Sequence, residues 1–295
     1  MSGLVIRPLV QRDVSPEQAL DSLKLHLENS FTYLEGEKKC AVLFSGGVDS
    51  SLAALLTKKH CEDTILLTAR CEGSHDEEVA VRAAKGMSLE IVEVNIDANS
   101  LWEALPQVVH SIKTRKRMDV EIAIPFFFAA RESRKRGYNL IISGQGPDEQ
   151  FAGYARYEKL MLEQGTEKVE EALWEDFSVT DEANIQRDIR AISAHGLETF
   201  FPFLDLDFAR TALTLPATLN IDPNRKPARK LMFRELAMKL GVPRGIAMTP
   251  KRATQYSSGT SKMLVESLRA NVDTLRGLTK RELQSAIQDF LNNIE

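Results

Sequence analysis

Along the first half of this chain, short apolar runs alternate with longer amphipathic stretches. Runs such as Cys40-Ala41-Val42-Leu43-Phe44 and Leu140-Ile141-Ile142 are nearly continuous and bounded by glycine and serine, which predicts strands buried on both faces. The pattern places strands at 40–44, 64–69, 90–96 and 139–143, and helices at about 50–59, 76–86, 100–111 and 119–136. Such alternation means right-handed βαβ units, hence a parallel sheet with helices on both faces. Ligands of these sheets bind beyond the carboxyl ends of the strands. Ser15-Pro16-Glu17-Gln18 reads as an N-cap, a first-turn proline and a capping-box Gln, opening a helix to about Tyr33. From about residue 150 the pattern turns mostly helical, and Thr279-Lys280-Arg281-Glu282 caps a last helix.

Two strand ends carry chemistry. After the 40–44 run comes Ser45-Gly46-Gly47-Val48-Asp49-Ser50-Ser51, a tight loop running into a helix. Glycines let backbone approach a ligand closely, and free N–H groups of the loop and first helical turn cradle an anion. Ser45, Ser50 and Ser51 add hydroxyl donors, and Asp49 adds a carboxylate suited to Mg²⁺. The Walker lysine is absent. After the 139–143 run comes Ser143-Gly144-Gln145-Gly146-Pro147-Asp148-Glu149, continuing Gln150-Phe151-Ala152-Gly153-Tyr154. Its glycines and acidic pair supply what a Mg²⁺–pyrophosphate complex requires. Alone that string is a common turn; at the same sheet edge as the first loop it is a second half-site.

These strings resemble the signature loops of the ATP pyrophosphatases and, within them, of the synthetase domain of asparagine synthetases. Three later strings extend the likeness over residues 36 to 260. They are Gly196-Leu197-Glu198 leading to Pro202-Phe203-Leu204-Asp205, Lys230-Leu231-Met232-Phe233-Arg234-Glu235, and Thr249-Pro250-Lys251-Arg252-Ala253-Thr254-Gln255. The resemblance implies an α/β fold, a doubly wound parallel sheet of five strands with a helical C-terminal region. It implies an N-terminal helical extension (1–35), the nucleotide-handling domain (36–260) and a C-terminal helical segment (261–295). It implies ATP and Mg²⁺ as cofactors. Ser45, Gly46, Gly47, Ser50 and Ser51 would hold pyrophosphate, Asp49 and Asp148 the metal, and Leu67 and Thr68 the adenine through backbone groups, with Ser143 and Gly144 beside the nucleotide. Lys251 would neutralise charge growing at the α-phosphate, and Gln145 and Asp148 would join it at the reacting centre. Arg187, Lys230 and Arg234 read either as phosphate or substrate contacts or as helix-face ion pairs.

The departures from the family pattern are as informative. Only 44 residues precede Ser45 and residue 2 is Ser, so no glutaminase domain with an N-terminal cysteine is expected. Nitrogen would come from free ammonia, a separate glutaminase subunit or another amine. Gln145 stands where asparagine synthetases commonly carry Glu; an amide cannot act as a base. The region after about Thr260 is shorter than in full synthetases.

Composition adds limits. With 295 residues and 43% hydrophobic positions, the chain can form about two domains, or one with a large extension. No apolar run approaches the ~20 residues of a membrane span, and the opening Met-Ser-Gly-Leu lacks a signal-peptide pattern. Cys40, Cys61 and Cys71 form no CxxC or zinc spacing, which suits a reducing cytoplasm. Lys113-Thr114-Arg115-Lys116-Arg117 and Arg131 to Arg136 could bind tRNA phosphates or answer helix C-termini; the net charge of −4 favours the second reading. His75 beside Asp76 and Glu77 reads as a capped helix start rather than a metal site. The expectation is a cytoplasmic, homo-oligomeric AMP-forming ligase that adenylates a small carboxylate, with aspartate the natural guess, and forms an amide. A tRNA-modifying pyrophosphatase and a non-catalytic nucleotide-binding subunit are the alternatives.

Overall fold

Ser15 opens the first helix as its sequence predicts. Its hydroxyl accepts the Gln18 N–H, the Gln18 side chain accepts the Ser15 N–H, and Pro16 occupies the first helical position. This helix, α1 (Pro16–Phe31), ends just before Tyr33, where a 3₁₀ turn takes over (Thr32–Leu34). The computed structural model describes residues 6–71, 76–250 and 259–294. Strands and helices then alternate through β1 (Lys39–Leu43), α2 (Val48–His60), β2 (Asp63–Cys71), α3 (Asp76–Gly86), β3 (Ile91–Ile96), α4 (Ala98–Ile112), α5 (Arg117–Lys135) and β4 (Leu140–Ile142). A mostly helical stretch follows: α6 (Pro147–Gln150), α7 (Ala155–Gln164), α8 (Thr166–Thr180) and α9 (Gln186–Ser193), then β5 (Glu198–Phe200) and α10 (Leu206–Thr214). Last come α11 (Leu231–Lys239), α12 (Arg244–Ala247), α13 (Thr260–Asn271) and α14 (Lys280–Asn292).

The five strands form one parallel sheet in the order β3-β2-β1-β4-β5. Successive side chains of a strand face opposite sides, and both sides are covered. Cys40, Val42, Leu66, Leu140 and Ile142 join a core with α1, α2, α10 and α11. Ala41, Ile65, Leu67 and Ile141 join a second with α4, α5, α9, α13 and α14. The near-continuous apolar runs of β1 and β4 are the sequence record of that double burial.

The strand order reverses direction between β1 and β4, which are hydrogen-bonded neighbours (Ala41 opposite Ile141). In an open α/β sheet that point leaves a crevice beyond the carboxyl edge. The loops after β1 and β4 therefore flank one crevice.

The three-residue β5 is the fifth strand that the resemblance implied. It pairs through Ile142–Phe200, and Ser143 N–H continues the ladder to Phe200 O at 3.0 Å. The return of α2 along β1 brings Cys61 against Cys40, and the two form a disulfide, while Cys71 is free and buried. No described helix is long and apolar enough to cross a membrane.

Candidate active site

The first loop is built around a helix start without a side-chain cap. Gly47 occupies the N-cap of α2 and makes no side-chain hydrogen bond there, so first-turn N–H groups stay available to an anion. Gly46 has φ 75°, and a Cβ on it would fall 2.8 Å from Ala80 Cα, so packing of α3 on the loop requires glycine. Ser50 Oγ accepts from Ser45 N–H (3.2 Å), lies 3.2 Å from Ser45 Oγ and donates to Gly47 O, closing the loop on itself. Ser51 Oγ is buried and has no hydrogen-bond partner among the described residues.

The second loop lies directly on the first. A Cβ on Gly144 would sit 3.0 Å from Ser50 N. Gly146 has φ 115° and precedes the single turn of α6, which delivers Asp148. Gln150 Nε2 donates to Phe203 O at 2.6 Å, tying this loop to the Pro202-Phe203-Leu204 turn. Asp205, the last residue of that string, caps α10 by accepting from Asp207 and Phe208 N–H.

Asp49 and Asp148 converge on one cation. Lys230 Nζ lies 2.8 and 2.7 Å from the two Asp49 oxygens and 2.7 Å from Asp148 Oδ1. Lys230 is 1% exposed, so the helix-face reading of this residue is excluded. It sits in the left-handed region (φ 57°) at the start of α11, which turns its side chain inward across the crevice. Burial pulls its ammonium below the ordinary lysine value, and Asp49 and Glu149 oppose that shift. Burial likewise raises the Glu149 carboxyl, which accepts a 2.5 Å hydrogen bond from Tyr154 OH. Two carboxylates converging on one small cation form the donor set a hard divalent ion takes, with phosphate oxygens and water completing its shell. Asp49 and Asp148 therefore fit Mg²⁺.

Arg234 lines the crevice cavity beside Lys230 and is tied to backbone carbonyls. Its Nε donates to Arg229 O, and its Nη1 to Ala247 O and Thr249 O. It thereby fixes the chain leading to Pro250, which lines a cavity of about 310 Å³ together with Gly153, Arg229 and Lys230. Lys251 and His75 lie outside the described residues. Arg187 is an ion pair, bound to Asp188 and facing Asp119. Gln145 donates from Nε2 to Asp188 Oδ2 at 3.1 Å. Asp188 was not legible as a site residue, because in sequence it is one more polar position on an amphipathic helix. Gly153, at the end of the second loop's string, lies against the Asp148 and Lys230 side chains.

Leu67 and Thr68, the residues expected to face adenine, lie within β2. β2 runs on to Cys71, paired with Ile96 of β3, so both residues are interior to the strand. Leu67 O accepts the Phe44 N–H at 2.8 Å. Several members of the basic clusters are engaged in the fold. Arg115 and Gln288 link the start of α5 to the C-terminal helix, Arg131 covers the Phe128 ring, and Arg136 pairs with Glu132.

The family model for asparagine synthase matches residues 23–168 and 161–289. The chain is 32% identical over 283 residues to a candidate glutamine-hydrolyzing asparagine synthetase of Methanocaldococcus jannaschii, covering 86% of this chain and 52% of that one. It is 27% identical to asparagine synthetase domain-containing protein 1 of Mus musculus (76% and 46% covered). It is 26% identical to the glutamine-hydrolyzing asparagine synthetase B of Escherichia coli (85% and 46% covered). The chain spans about half the length of the curated relatives it matches. The match of the family model over most of the chain's length, with the 32% identity to the archaeal relative, shows that this chain belongs to the asparagine synthase family.

Proposed function

We propose that this chain is an AMP-forming carbon–nitrogen ligase that uses ATP to adenylate a carboxylate, aspartate in the first instance, and forms an amide with ammonia or an amine. The observation that carries this reading is the meeting of Asp49 and Asp148 on Lys230 at the crevice between β1 and β4. Carboxylates and an ammonium at the N-terminus of α2, beside an uncapped glycine loop, form a polyphosphate site.

Asp49 and Asp148 would hold Mg²⁺, which supplies charge neutralisation on the leaving pyrophosphate. Gly46, Gly47, Ser45, Ser50 and Ser51 would donate N–H and O–H groups to phosphate oxygens. Ser143 and Gly144 would stand beside them on the facing loop. Lys230 carries a buried positive charge that phosphate can share with the two carboxylates. Lys251 would stabilise negative charge growing on the α-phosphate. Gln145, unable to take a proton, would orient the nitrogen nucleophile through hydrogen bonds.

ATP–pyrophosphate exchange with Mg²⁺, measured across aspartate, other carboxylates and bulk tRNA, tests this reading. Exchange that depends on aspartate supports it, and dependence on a different carboxylate reassigns the substrate. Exchange seen only with tRNA, or with none of these, refutes the ligase.

A further inference from the structure

Gln145 sits between Gly144, which packs on Ser50, and Asp148, which binds Lys230, so it stands at the crevice itself. Behind it runs a chain of side chains from three separate segments. Gln145 Nε2 donates to Asp188 Oδ2 at 3.1 Å, and the other oxygen of Asp188 accepts from Arg187 Nε at 2.8 Å and Nη2 at 2.7 Å. Arg187 Nη1 lies 3.6 Å from Asp119 Oδ1 of α5. Asp188 is fully buried and Arg187 nearly so.

An ionised carboxylate has only acceptor sites. The Gln145 NH₂ must therefore face Asp188, because the flipped amide would set a carbonyl oxygen against a carboxylate oxygen with no proton between them. The planar amide then directs Oε1 away from Asp188. A glutamine without this partner presents donor or acceptor indifferently.

We propose that Asp188 is a positioning residue that locks Gln145 with its carbonyl oxygen presented as the acceptor for an N–H of an incoming neutral amine. The proposal rests on the ligase reading for its chemistry, and on the Gln145–Asp188 contact for its geometry. Ammonia or a small primary amine donates one N–H to Oε1 and keeps its lone pair for the acyl carbon. A base is not required at residue 145 for that orientation. The pair also acts as a unit: Glu at 145 would oppose Asp188 at hydrogen-bond distance. With Asp188→Asn the bias reverses. Arg187 donors retain the Asn oxygen, the Asn NH₂ then points at residue 145, and the Gln145 amide turns its NH₂ outward.

The test uses four full-length proteins: the wild type, Asp188→Asn, Gln145→Glu and the double variant. Urea unfolding, which needs no assumption about the reaction, is expected to show Gln145→Glu destabilised and substantially rescued by Asp188→Asn. Amide formation from ammonia or hydroxylamine is divided by the ATP–pyrophosphate exchange rate of the same preparation. That ratio is expected to fall about tenfold in Asp188→Asn, as a rise in KM for the amine, and further in Gln145→Glu. The double variant should exceed Gln145→Glu. Additive unfolding effects, or an Asp188→Asn ratio equal to wild type, overturn the proposal. If Asp188→Asn alone does not fold, the comparison of Gln145→Glu with the double variant decides it. Absence of carboxylate-dependent exchange in the wild type refutes the ligase, and the unfolding cycle still decides the pairing.

Discussion

Gly153 is a glycine because of Asp148. A Cβ at residue 153 would overlap Asp148 Oδ1 and fall 2.5 Å from Lys230 Cε. Gly153 N–H also donates to Asp148 O at 2.8 Å, so the backbone is pinned at this spot and cannot retreat. Gly153→Ala is therefore expected to push apart the two side chains that meet behind it. Overpacking of this kind costs about 1–3 kcal/mol. ATP–pyrophosphate exchange should fall a hundredfold or more while the protein stays folded by circular dichroism. Unchanged exchange in a folded Gly153→Ala protein would remove the Asp148–Lys230 contact from the site.

Lys230 holds two carboxylates that come from chain segments 181 and 82 residues away. Replacing it by Met leaves Asp49 and Asp148 facing each other without a counter-charge. Breaking a buried pair by removing one partner costs about 3–5 kcal/mol. A divalent cation supplies the missing charge, so millimolar Mg²⁺ without nucleotide should raise the melting temperature of Lys230→Met far more than that of the wild type. An equal response of the two proteins would refute the convergence of Asp49 and Asp148 on one cation site.

The contrast between these residues and the loops shows what a sequence can disclose. β1, β4 and their glycine loops were legible because both-face burial writes unbroken apolar runs, and because glycine before a helix start is a local signal. β5 is three residues of mixed character, one of them Thr199, and takes its strand form from Ile142 beside it. Lys230 could not be told from a solvated lysine, since its burial depends on α11 crossing the crevice. The Cys40–Cys61 pair has no motif spacing and exists because α2 folds back along β1. Asp188 follows a π turn (Asp181–Ile185) that hands α8 to α9, an irregularity no periodicity announces.

Ser51 separates a binding role from a structural one. Its hydroxyl is fully buried without a partner among the described residues, so the free protein gains nothing from it. Ser51→Ala should leave unfolding stability within about 0.5 kcal/mol of wild type. If a phosphate oxygen is the partner, a hydrogen bond of about 1.5 kcal/mol or more is lost, and KM for ATP should rise tenfold or more. Calorimetric titration with an unreactive ATP analogue checks the same loss without turnover. Wild-type nucleotide affinity in this variant would exclude Ser51 from the phosphate cradle.

Asp188 gives the protein a definite pH response. Burial raises its carboxyl to about 6, Asp119 adds to that rise, and Arg187 and Gln145 oppose it. A carboxyl with a folded pKa above its unfolded value binds more protons folded than unfolded, so its contribution to stability grows as pH falls through about 6 toward about 4. Asp188→Asn lacks that group. The melting temperature of the wild type minus that of Asp188→Asn should therefore increase from about pH 7.5 to about pH 5. Function should move the other way. A protonated Asp188 can donate to Gln145 Oε1 and release the amide from its orientation, so amide formation relative to exchange should drop below about pH 6 in the wild type. Loss of neutral amine with acidification is common to both proteins and cancels when they are compared. A wild-type melting advantage that shrinks on acidification would show that Asp188 is held ionised by Arg187, against the burial that raises it.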